Sequence, residues 1–365
     1  MSQTTPMAAP IPVPVLAYTG PEQLLAEVTV SRRPAVLRGC PLGPCLAWTP
    51  DTLARRLAGV TRPVHVTSDT NMSFVTKNFR YSTMDIAEMI KLATTETEST
   101  EKYYLRAVSD ENPRSTPVQL ETEFPAIAAD FQLPEALLPR EKVFSSVLRV
   151  SSGAVRVWTH YDVMDNIYCQ VLGHKRAVLW PPDQVDSMYL LGDKSRVADI
   201  ETPDPDTFPL FAAAERWEAE LGPGDILFIP ALWFHNTLAH DFGVAVNVFW
   251  RELEARLYDA RDPYGNRDHV PAAKAFQSAE NIVKNLSQLP PEYSDFYCRR
   301  IVERLRSKCQ LSAINLNEYM LRCDIICILL GSTSYKSVSL HNNDTPQSSV
   351  SCVSMCVVYI ACRIV

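Results

Sequence analysis

Apolar and polar positions change their period along this chain, and each change marks a different kind of element. In residues 16–100 short strands and helices mix. Ala35-Val36-Leu37-Arg38-Gly39 reads as a buried strand ending at glycine, and Val64-His65-Val66 alternates like a strand. Thr49-Pro50-Asp51 ahead of Leu53 and Leu57 reads as a capped helix start, and so does Ser82-Thr83-Met84-Asp85 ahead of Ile86, Met89 and Ile90. From 101 to 260 the pattern is β, with strands expected at 102–106, 143–150, 154–162, 166–172, 175–180, 217–220, 225–229 and 244–250. These runs are short and separated by Gly, Pro and Asp turns, which predicts a mainly β sandwich or barrel with flanking helices. Between 261 and 308 the spacing becomes helical: Ala272, Phe276, Ile282 and Leu286, then, after Pro290-Pro291, Phe296, Ile301 and Leu305. That predicts a C-terminal helical hairpin.

The two ends look different. Residues 1–15 are proline-rich and are expected to be a flexible leader. Residues 309–365 combine serines and cysteines with few charges and no sustained period, so they read as an atypical, disordered tail. Cys323, Cys327, Cys352 and Cys356 lack the ligand spacing of a known zinc finger, and the ten cysteines form no disulfide framework. No apolar run reaches membrane-span length and the start lacks the basic residues of a signal peptide, so an intracellular, cytoplasmic protein is expected. The formal net charge is -7. A nucleic-acid partner would therefore have to be held by a local patch, for which Arg299, Arg300, Arg304, Arg306 and Lys308 are candidates. The competing reading of that run is a solvated helix face.

Chemistry concentrates in three segments. In Val157-Trp158-Thr159-His160-Tyr161-Asp162 strand alternation puts His160 and Asp162 on one face. A His-x-Asp alone is weak, because a surface strand carries such pairs by chance. The second segment adds a third ligand: a Gly222-Pro223-Gly224-Asp225 turn, the strand Ile226–Ile229, Pro230, and then the aromatic-flanked His235. Two histidines and one carboxylate on one face form the triad of non-haem iron(II) oxygenases, whose opposite positions stay open. The third segment runs from Asn166 through Gly173-His174, read as a two-residue hairpin turn, to Lys175 and Trp180. A buried lysine in an apolar barrel needs an anion, whereas a rim lysine would face solvent. An idealised flat hairpin separates Asn166 and Lys175 by about 20 Å, so spacing does not make them converge.

These residues resemble the JmjC family of 2-oxoglutarate oxygenases, in its tRNA-hydroxylating branch. The likeness rests on Trp158-Thr-His160-Tyr-Asp162, Asn166, Gly173-His-Lys175-Arg176 and Gly224 through Pro230 to His235. It extends to Lys77-Asn78-Phe79, Lys102–Arg106 and Pro291-Glu292-Tyr293, and covers roughly residues 10–308. The resemblance implies a JmjC/cupin double-stranded β-helix, and iron(II) held by His160, Asp162 and His235 as the catalytic residues. It implies 2-oxoglutarate contacted by Tyr104, Asn166 and Lys175, with molecular oxygen as oxidant. Lys175 and Tyr104 would take the distal carboxylate, with Asn166 nearer the iron. Asn247 departs by one residue from the commoner spacing and is set aside. The implied substrate is the amino-carboxypropyl side chain of a wyosine-type base beside the anticodon of phenylalanine tRNA, and the reaction is its hydroxylation. A homodimer through the C-terminal helices is expected on the same ground.

Two other readings compete. One is the same chemistry on protein: a side-chain hydroxylase, or a histone demethylase, against which the missing chromatin-reader zinc finger weighs. The other is a cupin binding module with a dead site, against which the complete triad weighs.

Overall fold

The computed structural model describes residues 7–20, 31–95, 101–135 and 137–309. The chain divides into two compact units, Met1–Val270 and Pro271–Val365.

The first unit is built from two large sheets. Its strands are β1 Ile11–Pro12, β2 Val15–Ala17, β3 Ala35–Arg38, β4 Thr61–Thr67, β5 Arg80–Asp85, β6 Lys102–Arg106, β7 Val143–Ser151 and β8 Arg156–His160. They continue with β9 Asp165–Leu172, β10 Lys175–Trp180, β11 Leu190–Leu191, β12 Lys194–Ser195, β13 Trp217–Leu221, β14 Ile226–Ile229, β15 Phe234–Ala239 and β16 Gly243–Trp250. Seven strands form one sheet in the order β1-β13-β10-β15-β8-β12-β11, and nine form the other in the order β2-β3-β14-β9-β16-β7-β6-β4-β5. Neighbours are antiparallel except β1 with β13 and β2 with β3. This is the expected double-stranded β-helix.

Alternation along the strands sorts side chains between an interior and two outer faces. On β10, Ala177 and Leu179 join Tyr168, Leu227, Ile229 and Ala245 of the facing sheet in one apolar cluster between the sheets. Val178 and Trp180 point the other way and pack with Tyr189, Phe211 and Phe234. The far side of the nine-stranded sheet carries the largest cluster, in which Ile167, Cys169 and Val171 of β9 meet Leu53, Ile86 and Ile90 of the N-terminal helices.

The structure corrects several expectations. Ser82-Thr83-Met84-Asp85 is the end of strand β5, and only Asp85 starts the helix Ile86–Thr94. Its carboxylate accepts from the Ala87 amide at 2.7 Å. Residues 11–12 and Val15, expected in a flexible leader, lie in strands on the sheet edges. The N-terminal α/β part, expected to pack on the barrel, supplies β2 to β5 to the nine-stranded sheet itself.

Gly173-His174 is not a hairpin turn. β9 belongs to the nine-stranded sheet and β10 to the other, so the chain changes sheet there. Gly173 has φ +75°, and a Cβ on it would lie 2.1 Å from the Phe242 carbonyl oxygen, so only glycine fits. β15 was not anticipated. Pro230 ends β14, and three residues later the chain resumes as a strand in the opposite sheet.

In the second unit, Val270–Leu286 and Pro291–Cys309 are helices, as the spacing predicts. Neither contains a buried residue, and Phe276, Tyr293, Phe296 and Leu305 are each at least half exposed. The expected tail beyond 309, with Cys323, Cys327, Cys352 and Cys356, lies outside the described residues.

Candidate metal centre

His160 closes β8 and His235 sits second in β15. These strands pair with His235 directly opposite His160, and the two rings lie 4.3 Å apart. Asp162 follows two residues after His160. One ligand atom from each of the three falls within 4.8 Å of the others, and no other such group occurs among the described residues.

The local hydrogen bonds aim these atoms. His160 Nδ1 donates to the Trp158 carbonyl at 3.0 Å, and His235 Nδ1 donates to the Trp233 carbonyl at 3.1 Å. Each ring thus carries its proton on Nδ1 and turns an Nε2 lone pair toward its neighbours. Burial holds both imidazoles below their ordinary pKa, and the nearness of His235 lowers His160 further. Both are neutral, as metal ligation requires. Asp162 is 7 % exposed, and its Oδ2 has no hydrogen-bond partner although it lies 3.6 Å from His235 Nε2. Burial pushes this carboxyl up in pKa. Two unprotonated imidazole nitrogens and an unsatisfied carboxylate oxygen, gathered on one side, match the donor set of a non-haem iron(II) centre.

The loop before His235 is held under strain. Leu232 has φ 70°, a left-handed conformation costing an L-residue about 1–2 kcal/mol. The Leu232 amide donates to the Asp162 carbonyl at 2.8 Å, and the Ala231 amide donates to Asp165 Oδ1 at 2.7 Å. Asp165 is gripped in turn by both terminal nitrogens of Arg32, each at 2.7 Å. Backbone around one ligand is therefore tied to backbone around another.

Lys175 faces inward with Ala177 and Leu179 rather than sitting on the rim. It is 4 % exposed, with its ammonium 5.6 Å above the Tyr168 ring. It makes no salt bridge among the described residues, and burial, reinforced by Arg149, lowers its pKa to about 7. Asn166 lies on the facing sheet two residues from Tyr168. Because β9 and β10 are on opposite sheets, the flat-hairpin distance does not apply. Tyr104 is buried, and its hydroxyl accepts a hydrogen bond from Arg149.

Four further residues belong to this interior. Asn247 Nδ2 donates to Asn166 Oδ1 at 3.0 Å and Asn247 Oδ1 accepts from Arg149 Nε at 2.7 Å, so the residue set aside on spacing bridges the two. Arg106 and Arg149 are direct register partners on β6 and β7. The Tyr168 hydroxyl is buried without a partner. Strand parity alone groups these residues on common faces, and knowledge that the sheet closes is needed to see that this face is the interior. At the edge of the triad stands an aromatic shelf. Phe79 and Trp158 stack at 5.7 Å, Trp158 lies 6.3 Å from His160, and Phe74 and Tyr81 extend the shelf toward solvent. Of the other described histidines, His174 pairs with Asp241 and His240 with Glu220 on the surface, while His65 is buried beneath the shelf against Phe79, Tyr81 and Trp158, with its Nδ1 donating to the Tyr104 carbonyl at 3.2 Å.

The sheets and the inward-facing triad define a cupin-like protein, and the Cupin-like domain family matches residues 21–256. Over 306 residues the chain is 47% identical to tRNA wybutosine-synthesizing protein 5 of Danio rerio, covering 82% of this chain and 93% of that one. It is 42% identical over 305 residues to the Homo sapiens protein of the same name, covering 82% and 96%. It is also 41% identical over 287 residues to tRNA wybutosine-synthesizing protein 4 of Gibberella zeae, covering 76% of this chain but 27% of that longer one. The chain belongs to the tRNA wybutosine-synthesizing protein 5 family.

Proposed function

We propose that this chain is an iron(II)- and 2-oxoglutarate-dependent oxygenase. In this reading it hydroxylates the amino-carboxypropyl side chain of a wyosine-type base in phenylalanine tRNA. The observation that carries the reading is the convergence of the two free Nε2 atoms of His160 and His235 with the unpartnered Oδ2 of Asp162. These three side chains would hold the iron, which supplies oxygen activation coupled to decarboxylation of the co-substrate.

The chain's own groups do the remaining work. Lys175, desolvated and without an anion of its own, takes the distal carboxylate of 2-oxoglutarate, assisted by Tyr104. Asn166, held by Asn247, orients the co-substrate nearer the triad. The clasp of Arg32, Asp165 and Ala231 keeps His235 in place as ligands enter and leave. The shelf of Phe79 and Trp158 offers a flat apolar surface beside the triad against which a planar base stacks. The relatives' names point to tRNA as the substrate carrier. Arg300, Arg304 and Arg306 are exposed on the last helix and offer phosphate contacts, whereas Arg299 is already paired with Asp295 at 2.8 Å. The uncovered apolar residues of the two C-terminal helices are read as the contact of a homodimer.

The test is mass spectrometry of nucleosides from wyosine-containing tRNA incubated with the protein, iron(II), ascorbate and 2-oxoglutarate. A gain of one oxygen on the side chain is expected, with succinate formed in step, and Asp162→Ala should abolish both. Unmodified tRNA with the wild-type protein, or full turnover by the variant, would remove the assignment.

A further inference from the structure

The interior holds more positive charge than the proposed co-substrate uses. Arg106 and Arg149 face each other across neighbouring strands, and like charges directly opposite destabilise a sheet. Among the described residues no carboxylate lies within ion-pair reach of either. Arg149 bonds only neutral groups, the Tyr104 hydroxyl and the Asn247 amide oxygen. The Arg106 guanidinium lies 4.6 Å over the Tyr264 ring and donates no side-chain hydrogen bond among the described residues. Arg106 and Arg149 are half-buried, and the fully buried arginines of this chain behave differently. Arg62 holds Glu123 at 2.8 Å, Arg156 holds Glu201 at 3.0 Å and Arg216 holds Glu218 at 2.6 Å.

A charge count separates the two interior demands. An iron(II) ion carries two positive charges and Asp162 one negative, and 2-oxoglutarate brings two negative charges. Lys175, on the opposite sheet, balances the one left over. Arg106 and Arg149 then carry charge beyond that count, half-buried and without a paired carboxylate, and a carboxylate docking between them is favoured. A guanidinium fork suits a carboxylate, which it binds through two parallel hydrogen bonds. Arg149 is held in advance by Tyr104 and Asn247, and Arg106 by Tyr264, so little order is lost when the anion arrives.

We propose that Arg106 and Arg149 form a second carboxylate site, bordering that of the co-substrate through Tyr104 and Asn247, which takes the carboxylate of the substrate's amino-carboxypropyl side chain. The inference rests on the tRNA reading above and names the group that reading leaves unplaced. A flexible side chain anchored at its base by the aromatic shelf and at its tip by two guanidinium groups has few conformations left. The carbon between the anchors is then presented to the triad. Arg106 and Arg149 act as positioning residues for that carbon.

The test uses the full chain loaded anaerobically with iron(II) and 2-oxoglutarate, and reads binding by calorimetry. The probes are the nucleoside bearing the free amino-carboxypropyl acid and its carboxyl methyl ester. Wild type should prefer the acid by about 10- to 100-fold, the range for a hydrogen-bonded charge. Arg106→Leu should reduce the acid to the affinity of the ester and leave 2-oxoglutarate binding within about twofold, while Arg106→Lys should recover part of the preference. Equal binding of acid and ester by wild type would overturn this site while leaving the oxygenase reading standing. So would an Arg106→Leu loss as large for 2-oxoglutarate as for the acid. If wild type binds neither probe while binding 2-oxoglutarate, the wyosine reading itself fails, and this site with it. The wild-type comparison needs no variant and stands even where Arg106→Leu does not fold.

Discussion

Cations line both the outer face of the seven-stranded sheet and the cleft between the sheets, and the two settings are opposite. Outside, Arg156, Arg176 and Arg216 share Glu201 and Glu218 at 2.6–3.0 Å. Inside, Lys175, Arg106 and Arg149 make no salt bridge among the described residues, and Asp162 acts on the two arginines only from beyond ion-pair distance. Strand β10 shows the contrast within two adjacent residues, with Arg176 neutralised outward and Lys175 bare inward. A fold that neutralises its cations on one face and leaves them bare on the other has a use for the bare ones. The outer network closes the structure on itself, and the inner one awaits ligands that bring their own negative charge.

The largest effect expected is on ligand binding. Lys175→Met removes one partner of a buried charged contact, a loss of about 3–5 kcal/mol. 2-Oxoglutarate affinity by calorimetry should fall several-hundredfold while metal affinity holds. Arg216→Met on the outer face should do the reverse, lowering the denaturation midpoint and leaving 2-oxoglutarate untouched. If the two variants behave alike, the distinction between the faces is empty.

The next effect follows pH. Burial, with Arg149 nearby, lowers the pKa of Lys175 to about 7 in the folded protein, from an ordinary value of 10.5. Between those values the unfolded chain binds a proton that the folded chain does not. Stability without ligand therefore rises with pH across that window, by up to about 1.4 kcal/mol per unit from this group. Below about 7 both states carry the proton and the contribution is flat. Urea melts of wild type and Lys175→Met at pH 7, 8 and 9 isolate it, since their difference should move in favour of wild type as pH rises. Affinity for 2-oxoglutarate, which needs the ammonium form, should fall over the same range. A difference that stays constant with pH would show Lys175 to be fully charged throughout, as in the unfolded chain.

The smallest effect concerns the C-terminal helices. There the imbalance is apolar, since Phe276, Phe296 and Leu305 are exposed, and light scattering at micromolar concentration should return the mass of a dimer. Replacing Arg299, Arg300 and Arg304 with glutamate should weaken tRNA modestly and flatten the log–log salt dependence by about 0.7–0.9 per lost contact. Most of this should come from Arg300 and Arg304, because Arg299 already pairs with Asp295. Unchanged binding at every salt concentration would move the RNA to another surface.

Local pattern carried much of this into the sequence, and closure of the fold carried the rest. His160 and Asp162 were legible because a strand's period of two is short-range. His235 was legible from the turn, strand and proline before it, but its own strand β15 was not, since Leu232 adopts a left-handed conformation that nothing in Ala231-Leu232-Trp233 signals. Arg106 and Arg149 read as ordinary strand residues until the second sheet faces them. Asn247 was discounted on spacing, which measures distance along one strand and not across three. Ser82–Asp85 misled because cap residues also end strands.

The change of sheet at Gly173 has a consequence for how this chain tolerates insertions and deletions. Along β10 the interior and the outer network are sorted by parity alone. One residue added or removed between Gly173 and Lys175 would exchange the inward lysine for the outward arginine's position and disable both networks at once. Two residues would restore the parity but shift the ammonium by about 7 Å along the strand, out of register with Tyr168. With Gly173 itself closed to any side chain, this stretch has no small steps open to it, and changes in length should accumulate in loops that join strands of the same sheet instead.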